Sequence, residues 1–308
     1  MRRSHRGGRR SPGAIAVSLA VSLVAALGLA SSPLAAQQRI ERGLAASSDP
    51  TIRVYNLSGS TAITGWDRDS VAIVAELAPG AGRFYMAGHD AIKLGVEPAN
   101  PEGTPGSARL EIQVPRGSVV WVKAADASIE VDGVEGGLDL YSVGGSVRVR
   151  GAPATVRAES MEGSISIEAR TPWLRAKTAS GSIDLSGEAS DLAASTVSGT
   201  IRATAARQAR ARIESVTGEI VVSGRPTRGG AWEIETHSGP VTLALAPDTD
   251  AEIEVHTFGG EVRVDLGRIV NRRIDDLAGS DWKILAGNGG TSMTVRTFKA
   301  PVTIRPAR

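Results

Sequence analysis

Four histidines, His5, His89, His237 and His256, are the side chains best suited to move protons near neutral pH or to bind a metal. No two of them stand four residues apart, as a helix-borne metal pair requires. Cysteine is absent, which excludes a thiolate nucleophile, a thiolate metal site, disulfides and lipid attachment at the end of a leader. Carboxylates gather in two places. Glu233, Glu235 and Glu254 could supply the acid and base of a polysaccharide hydrolase or lyase, although Arg212, one repeat earlier, makes a solvated charge ladder the plainer reading. Asp248 with Asp250, and Asp275 with Asp276, have the oxygen chemistry of calcium ligands, but the glycine-and-aspartate nonapeptide of calcium-binding β-rolls is missing. Trp66, Trp121, Trp173, Trp232 and Trp282 could stack on sugar rings; Trp232 falls on an inward register, and Trp66 and Trp173 sit at turn or strand-start positions. No catalytic, cofactor-binding or metal-binding residue set is therefore expected.

The elements that must carry these residues are repeats. A Ser/Thr-x-x-Gly unit recurs at Ser142–Gly145, Ser160–Gly163, Thr178–Gly181, Thr196–Gly199, Ser215–Gly218, Thr236–Gly239 and Thr257–Gly260, at intervals of 18, 18, 18, 19, 21 and 21 residues. A degraded copy at Thr297–Ala300 is expected to close the array, and Asn56–Gly59 has the form of the same turn. After each glycine comes a short alternation such as Ile165 and Ile167 or Ile183 and Leu185. About nine residues away lies a second one, such as Leu174 and Ala176 or Leu192 and Ala194. Period two marks strands with one buried face. Two short strands cannot bury that face alone, whereas stacked coils can. The expectation is an all-β, single-chain β-solenoid of 18 to 21 residues and two short strands per coil, built as strand, turn, strand, turn. A β-sandwich of hairpins would show the same alternation and remains the alternative. The corner glycine would permit either a positive φ or close approach between coils.

Residues 1–36 read as a signal peptide, with five arginines, no acid and an apolar stretch over 14–30. The whole chain carries +2 at pH 7, but beyond that leader 30 basic side chains face 33 acidic ones, which gives no argument for nucleic acid. No membrane span is expected after cleavage. Residues 37–50 read as a linker, 51–124 as an irregular N-terminal β region and cap of the same body, and 125–308 as the repeat array. Leu266, Ile269, Val270, Ile274 and Leu277 have helical spacing and predict a short helix or bulging loop.

The recurrent Thr-x-Ser-Gly-x-Ile turn, the stretch from Leu110 to Pro115 and the Gly287-Asn-Gly-Gly290 run together resemble a bacterial family of adhesin-like β-strand-repeat proteins whose domain has no assigned function. Ala127 and Ala300 depart from its turn glycine. The resemblance implies an exported β-helical protein of the cell envelope, in the periplasm or at the cell surface, with adhesion as its role and no catalytic residues to carry over. Two function classes stay open. One is a non-catalytic adhesion or interaction scaffold whose partner is an envelope protein or a cell-surface polysaccharide; the other is a carbohydrate-active enzyme or carbohydrate-binding protein on the same scaffold. End-to-end self-association is a further possibility, because a bare solenoid end is an unpaired edge.

Overall fold

The computed structural model describes residues 37–275 and 279–307, with backbone alone at 205–207 and 275. The signal peptide assigned to 1–36 lies outside the described residues, as do Asp276 and Leu277. Twenty-three strands form one continuous sheet, with no helix among the described residues.

The first strands are β1 (Gln38–Ala45), β2 (Thr51–Asn56), β3 (Gly59–Trp66), β4 (Ser70–Leu77), β5 (Arg83–Ala87), β6 (Ala91–Glu97), β7 (Ala108–Pro115), β8 (Val119–Ala124) and β9 (Ser128–Asp132). The regular coils are β10 (Gly137–Ser142), β11 (Val147–Gly151), β12 (Thr155–Ser160), β13 (Ile165–Lys177), β14 (Ile183–Thr196), β15 (Ile201–Ser215) and β16 (Ile220–Thr236). The chain ends through β17 (Val241–Leu245), β18 (Ala251–Thr257), β19 (Val262–Val264), β20 (Arg268–Asp275), β21 (Gly279–Ala286), β22 (Ser292–Thr297) and β23 (Val302–Pro306).

Pairing between successive coils is parallel and in register, for example Val147 with Ile165 and Ile183 with Ile201. Parallel stacking is what a solenoid requires and what a sandwich of hairpins lacks, so the fold is a β-solenoid. Its two walls face each other across one core of inward Val, Ile, Leu and Ala, including Val149, Ile167, Leu192 and Ile213. Wall A holds the strands that follow each corner glycine, and wall B those that precede each corner Ser or Thr. In β13 to β16 the second corner is not an unpaired turn: Arg170 pairs with Glu188 and Thr171 with Ala189 across the bend, so each of these strands runs through both walls.

The Ser/Thr-x-x-Gly corner shows why its residues recur. Thr178 Oγ1 accepts the Gly181 N–H at 3.2 Å and lies 3.3 Å from the Gly163 carbonyl of the neighbouring coil, to which it can donate. Thr196, Thr236 and Thr257 accept the N–H of Gly199, Gly239 and Gly260 in the same way. The glycine is needed for close approach and not for a left-handed φ. A Cβ on Gly181 would overlap the Gly163 carbonyl oxygen, one on Gly199 the Gly181 oxygen, and one on Gly239 the Gly218 oxygen. Ser215 breaks the pattern, its buried hydroxyl having no hydrogen-bond partner.

Chain order and spatial order part company at both ends. β22 pairs with β16 on one side and β18 on the other, and β23 lies between β17 and β19. The degraded Thr297–Ala300 copy therefore does not close the array; it is inserted between the Thr236 and Thr257 coils, and Thr297 Oγ1 donates to Thr257 Oγ1 at 2.9 Å. At the other end β2 and β3 are inserted between β6/β7 and β8/β9. Ala127 stacks on the first inserted coil and Ala300 belongs to the second, so both departures from glycine mark the places where the spatial neighbour is not the preceding repeat.

Antiparallel strands flank the end coils: β5 on β6, β4 and then β1 on β7, and β21 with β20 on β18. Two expectations are corrected here. Residues 37–50 are not a plain linker, because β1 pairs with β4 over its whole length. The helical spacing after Leu266 belongs to a strand: a register shift between Ile269 and Asn271 breaks the alternation and leaves Ile269, Val270 and Ile274 exposed on β20.

The inserted coil is pinned at Asp250, whose Oδ1 accepts the N–H of Asn288 at 2.7 Å and of Gly290 at 2.9 Å. These backbone bonds, with the charge of Arg228, lower the Asp250 pKa.

Two predictions follow from the corner and the pin. Gly181→Val should abolish the cooperative chemical melt, Thr178→Ala should destabilise by about 1–2 kcal/mol through the orphaned Gly181 N–H, and Ser215→Ala should be close to neutral. A Gly181→Val protein with the wild-type urea midpoint would refute the close-packed corner. Asp250→Asn keeps an acceptor and removes the charge. Because the native pKa is lowered, the charge stabilises above the ordinary aspartate value of 3.8 and that contribution is lost as pH falls through the native one. The wild-type urea midpoint should exceed that of Asp250→Asn at pH 7, and the gap should close as pH is lowered below about 3.8.

Candidate functional site

In-register stacking turns outward residues into columns up the wall, at about 4.8 Å per layer. On wall B the central column runs Lys93, Arg53, Trp121, Asp139, Arg157, Arg175. Beside it the side chains are small, Thr51 and Val119 next to Gly137 and Thr155, until Trp173 stands over Thr155. Small residues between Trp121 and Trp173 leave a groove of about 610 Å³. The two tryptophans bound it three layers apart, about 14 Å.

Each wall of the groove is braced. The ring of Tyr55 meets Trp121 edge-on, with centroids 5.3 Å apart, and Lys93 Nζ stands 5.0 Å from the Tyr55 centroid and 5.8 Å from that of Tyr85. Burial raises the Tyr85 pKa, so its phenol stays neutral beside that ammonium. Arg175 lies 4.5 Å over Trp173 and reaches Asp191 at 2.8 Å. Arg157 donates to Glu159 at 2.9 Å, a bond that raises its already high pKa and fixes the positive charge. Trp121, Trp173 and Tyr55 are half-buried, while Arg53 is exposed. Aromatic faces flanked by forked donors and a carboxylate can hold a polyhydroxylated ring, the apolar faces by stacking and the hydroxyls by hydrogen bonds.

The carboxylates singled out in the sequence do not form a catalytic pair. The inserted β22 puts Thr294 between Glu233 and Glu254, and Arg296 between Glu235 and His256. Glu233 is held by Arg212, at 3.2 Å, and by Arg296, and Glu254 sits 3.7 Å from Lys283. Asp248 pairs with Arg225 at 2.8 Å, and Asp250 is spent on the Asn288 and Gly290 amides. His256 Nδ1 meets Asp281 at 2.9 Å, His89 meets its neighbour Asp90, and His237 stacks on Phe298 with centroids 4.9 Å apart. Among the described residues no cluster of three His, Cys, Asp or Glu side chains could hold a metal ion.

Of the five tryptophans, Trp232 is buried as its register implied, and Trp282 is buried under Arg272 at 4.1 Å. Trp66 donates to the Ser70 carbonyl across the turn between β3 and β4, which do not pair with each other but flank β7. Only Trp121 and Trp173 share a site. Arg53, Tyr55 and Lys93 were not anticipated there. The available signal was the likeness of Thr51-Ile-Arg-Val-Tyr-Asn56 followed by Leu-Ser-Gly to a wall B strand and its corner, which would have stacked Arg53 and Tyr55 with the array.

A second exposed feature follows the corners, where Leu57, Val143, Met161, Val197, Val216 and Phe258 project at the residue after Ser, Thr or Asn. Phe298, on the inserted coil, stacks between His237 and Phe258. No helix among the described residues is long and apolar enough to cross a membrane.

Among solved structures, a candidate adhesin from Bacteroides fragilis is similar over 88% of this chain and 98% of its own, with 10% identity and a TM-score of 0.45. A candidate lipid-binding protein from Parabacteroides distasonis matches over 85% and 96%, with 8% identity and a TM-score of 0.43. A candidate cell adhesion protein from Clostridium sporogenes matches over 87% and 100%, with 10% identity and a TM-score of 0.22. No curated protein matches. The Toastrack DUF4097 family model matches residues 100–283, which take in the regular coils and most of the C-terminal strands. A match over more than half of the chain, on the repeat whose glycine corners build the solenoid, makes this protein a member of the Toastrack DUF4097 family.

Proposed function

We propose that this protein is an exported, non-catalytic envelope scaffold that acts as an adhesin by binding a cell-surface polysaccharide through wall B. The observation that carries the reading is the groove between Trp121 and Trp173, two half-buried rings on rigid strands with polar side chains between them. Rigid, pre-positioned aromatic platforms suit sugar rings because they bind without ordering a loop. The arginine-rich leader at 1–36 supports export. Glycoside hydrolysis uses two carboxyl groups flanking the scissile bond, and the groove is lined by one, Asp139, which supports binding over turnover.

The test is retention of the purified full-length protein on immobilised cell-wall polysaccharide, against the Trp121→Ala/Trp173→Ala double variant. Wild type should be retained and eluted by soluble polysaccharide without shortening it, and the variant should pass through with an unchanged thermal melt. Equal retention of the two proteins, or release of shortened sugars, would overturn the proposal.

A further inference from the structure

The groove's charge is uneven in a way that sugar stacking alone does not require. Lys93 and Arg53 are direct cross-strand neighbours on β6 and β2, and Arg157 and Arg175 are neighbours on β12 and β13. Like charges opposite one another in a sheet repel. The second pair is relieved, Arg157 by Glu159 and Arg175 by Asp191. The first is not. Among the described residues no carboxylate lies within ion-pair distance of Arg53 or Lys93, and Lys93 instead leans on the rings of Tyr55 and Tyr85. Arg53 is the register partner of Trp121, so the unrelieved guanidinium stands one strand spacing from the stacking ring.

We infer that the groove takes an acidic saccharide, a chain bearing uronate carboxylates, with a sugar ring on Trp121 and its carboxylate on the Arg53 fork. This inference rests on the saccharide-binding reading above and narrows it. A guanidinium offers two parallel N–H donors that match a carboxylate, and Lys93 adds a second cation next to it. Asp139 and Thr155, one and two layers beyond Trp121, are placed to bond ring hydroxyls, and Trp173 receives a further ring. The Asp139 carboxylate, lying on the Trp173 side of Trp121, repels a second acid there and so fixes the end at which the charged group sits.

The experiment is a titration of the full-length protein with short uronate oligosaccharides of several linkages and with neutral oligosaccharides of matched length. It is followed by tryptophan fluorescence and calorimetry at low and high salt. Wild type should bind at least one uronate oligomer about tenfold or more tighter than its neutral counterpart, as a charge-assisted bond implies. Added salt should erase most of that difference. Arg53→Gln should lose the preference, bringing the acidic and neutral ligands to similar affinity, Arg53→Lys should keep part of it, and Trp121→Ala should weaken both ligands. Gly137→Leu leaves every ring and charge in place and fills the groove floor, where a Cβ comes 3.1 Å from Thr155 Oγ1, so it should block both ligands in a folded protein. Equal affinity for acidic and neutral sugars, or a uronate preference that survives Arg53→Gln, would overturn the acidic assignment while leaving the saccharide reading standing. Binding of neither class would overturn both.

Discussion

The glycine corners of the regular coils leave no room for a side chain. At Gly163, Gly181, Gly199, Gly218 and Gly239 the place a Cβ would occupy holds the carbonyl oxygen of the neighbouring coil. Layers that meet at backbone contact cannot slip by a residue, and the Thr178 and Thr196 hydroxyls stitch the same corner across coils. In-register parallel walls follow, and with them the columns of outward side chains. A side chain's neighbours on the surface are thus set by arithmetic on the repeat, which is how Trp173 comes to face Trp121 across Gly137 and Thr155, although the two tryptophans stand 52 positions apart in the chain.

The inserted coils decide what those columns contain. At one end β2 delivers Arg53 and Tyr55 against Trp121 and Lys93, building the braced side of the groove. At the other end β22 delivers Thr294 and Arg296 into the middle of an acidic run, separating Glu233 from Glu254. One topological device builds one side of a groove in the first case and removes a candidate catalytic site in the second. Fold class is silent on both outcomes, since function resides in the side chains that the fold brings together.

The repeat array was legible from residue spacing alone. Serine or threonine, glycine and a period-two alternation each answer to a physical need of the corner or the wall, and they recur often enough to fix the coil. The order of the end coils was not legible. An inserted coil keeps the same alternation and the same corner as one stacked in sequence, and no residue type reports which neighbour it meets. Ala127 and Ala300 were the trace of it, two places where the neighbouring corner differs. The stretch after Leu266 misled for another reason: a bulge within a strand shifts the alternation by one, and Ile269, Val270 and Ile274 then mimic a helical face. The groove was half visible, because Trp121 and Trp173 belong to the readable array while Arg53 and Lys93 reach it through strands whose spacing is irregular.

Insertion also imposes a schedule. In stacked repeats, folding nucleates in one place and propagates from each coil to its sequence neighbour. Here β18 and β19 come earlier in the chain than the strands on which they rest, so the edge formed by β16 and β17 stays open until residues 292–306 arrive, and only then can the earlier segment close over them. Closing such long loops is slow, and an edge left waiting is exposed to other chains meanwhile. Once shut, the last strands are clasped on both sides. A force on the chain beyond β23 would have to shear two ladders at once, where an ordinary terminal coil would unzip one.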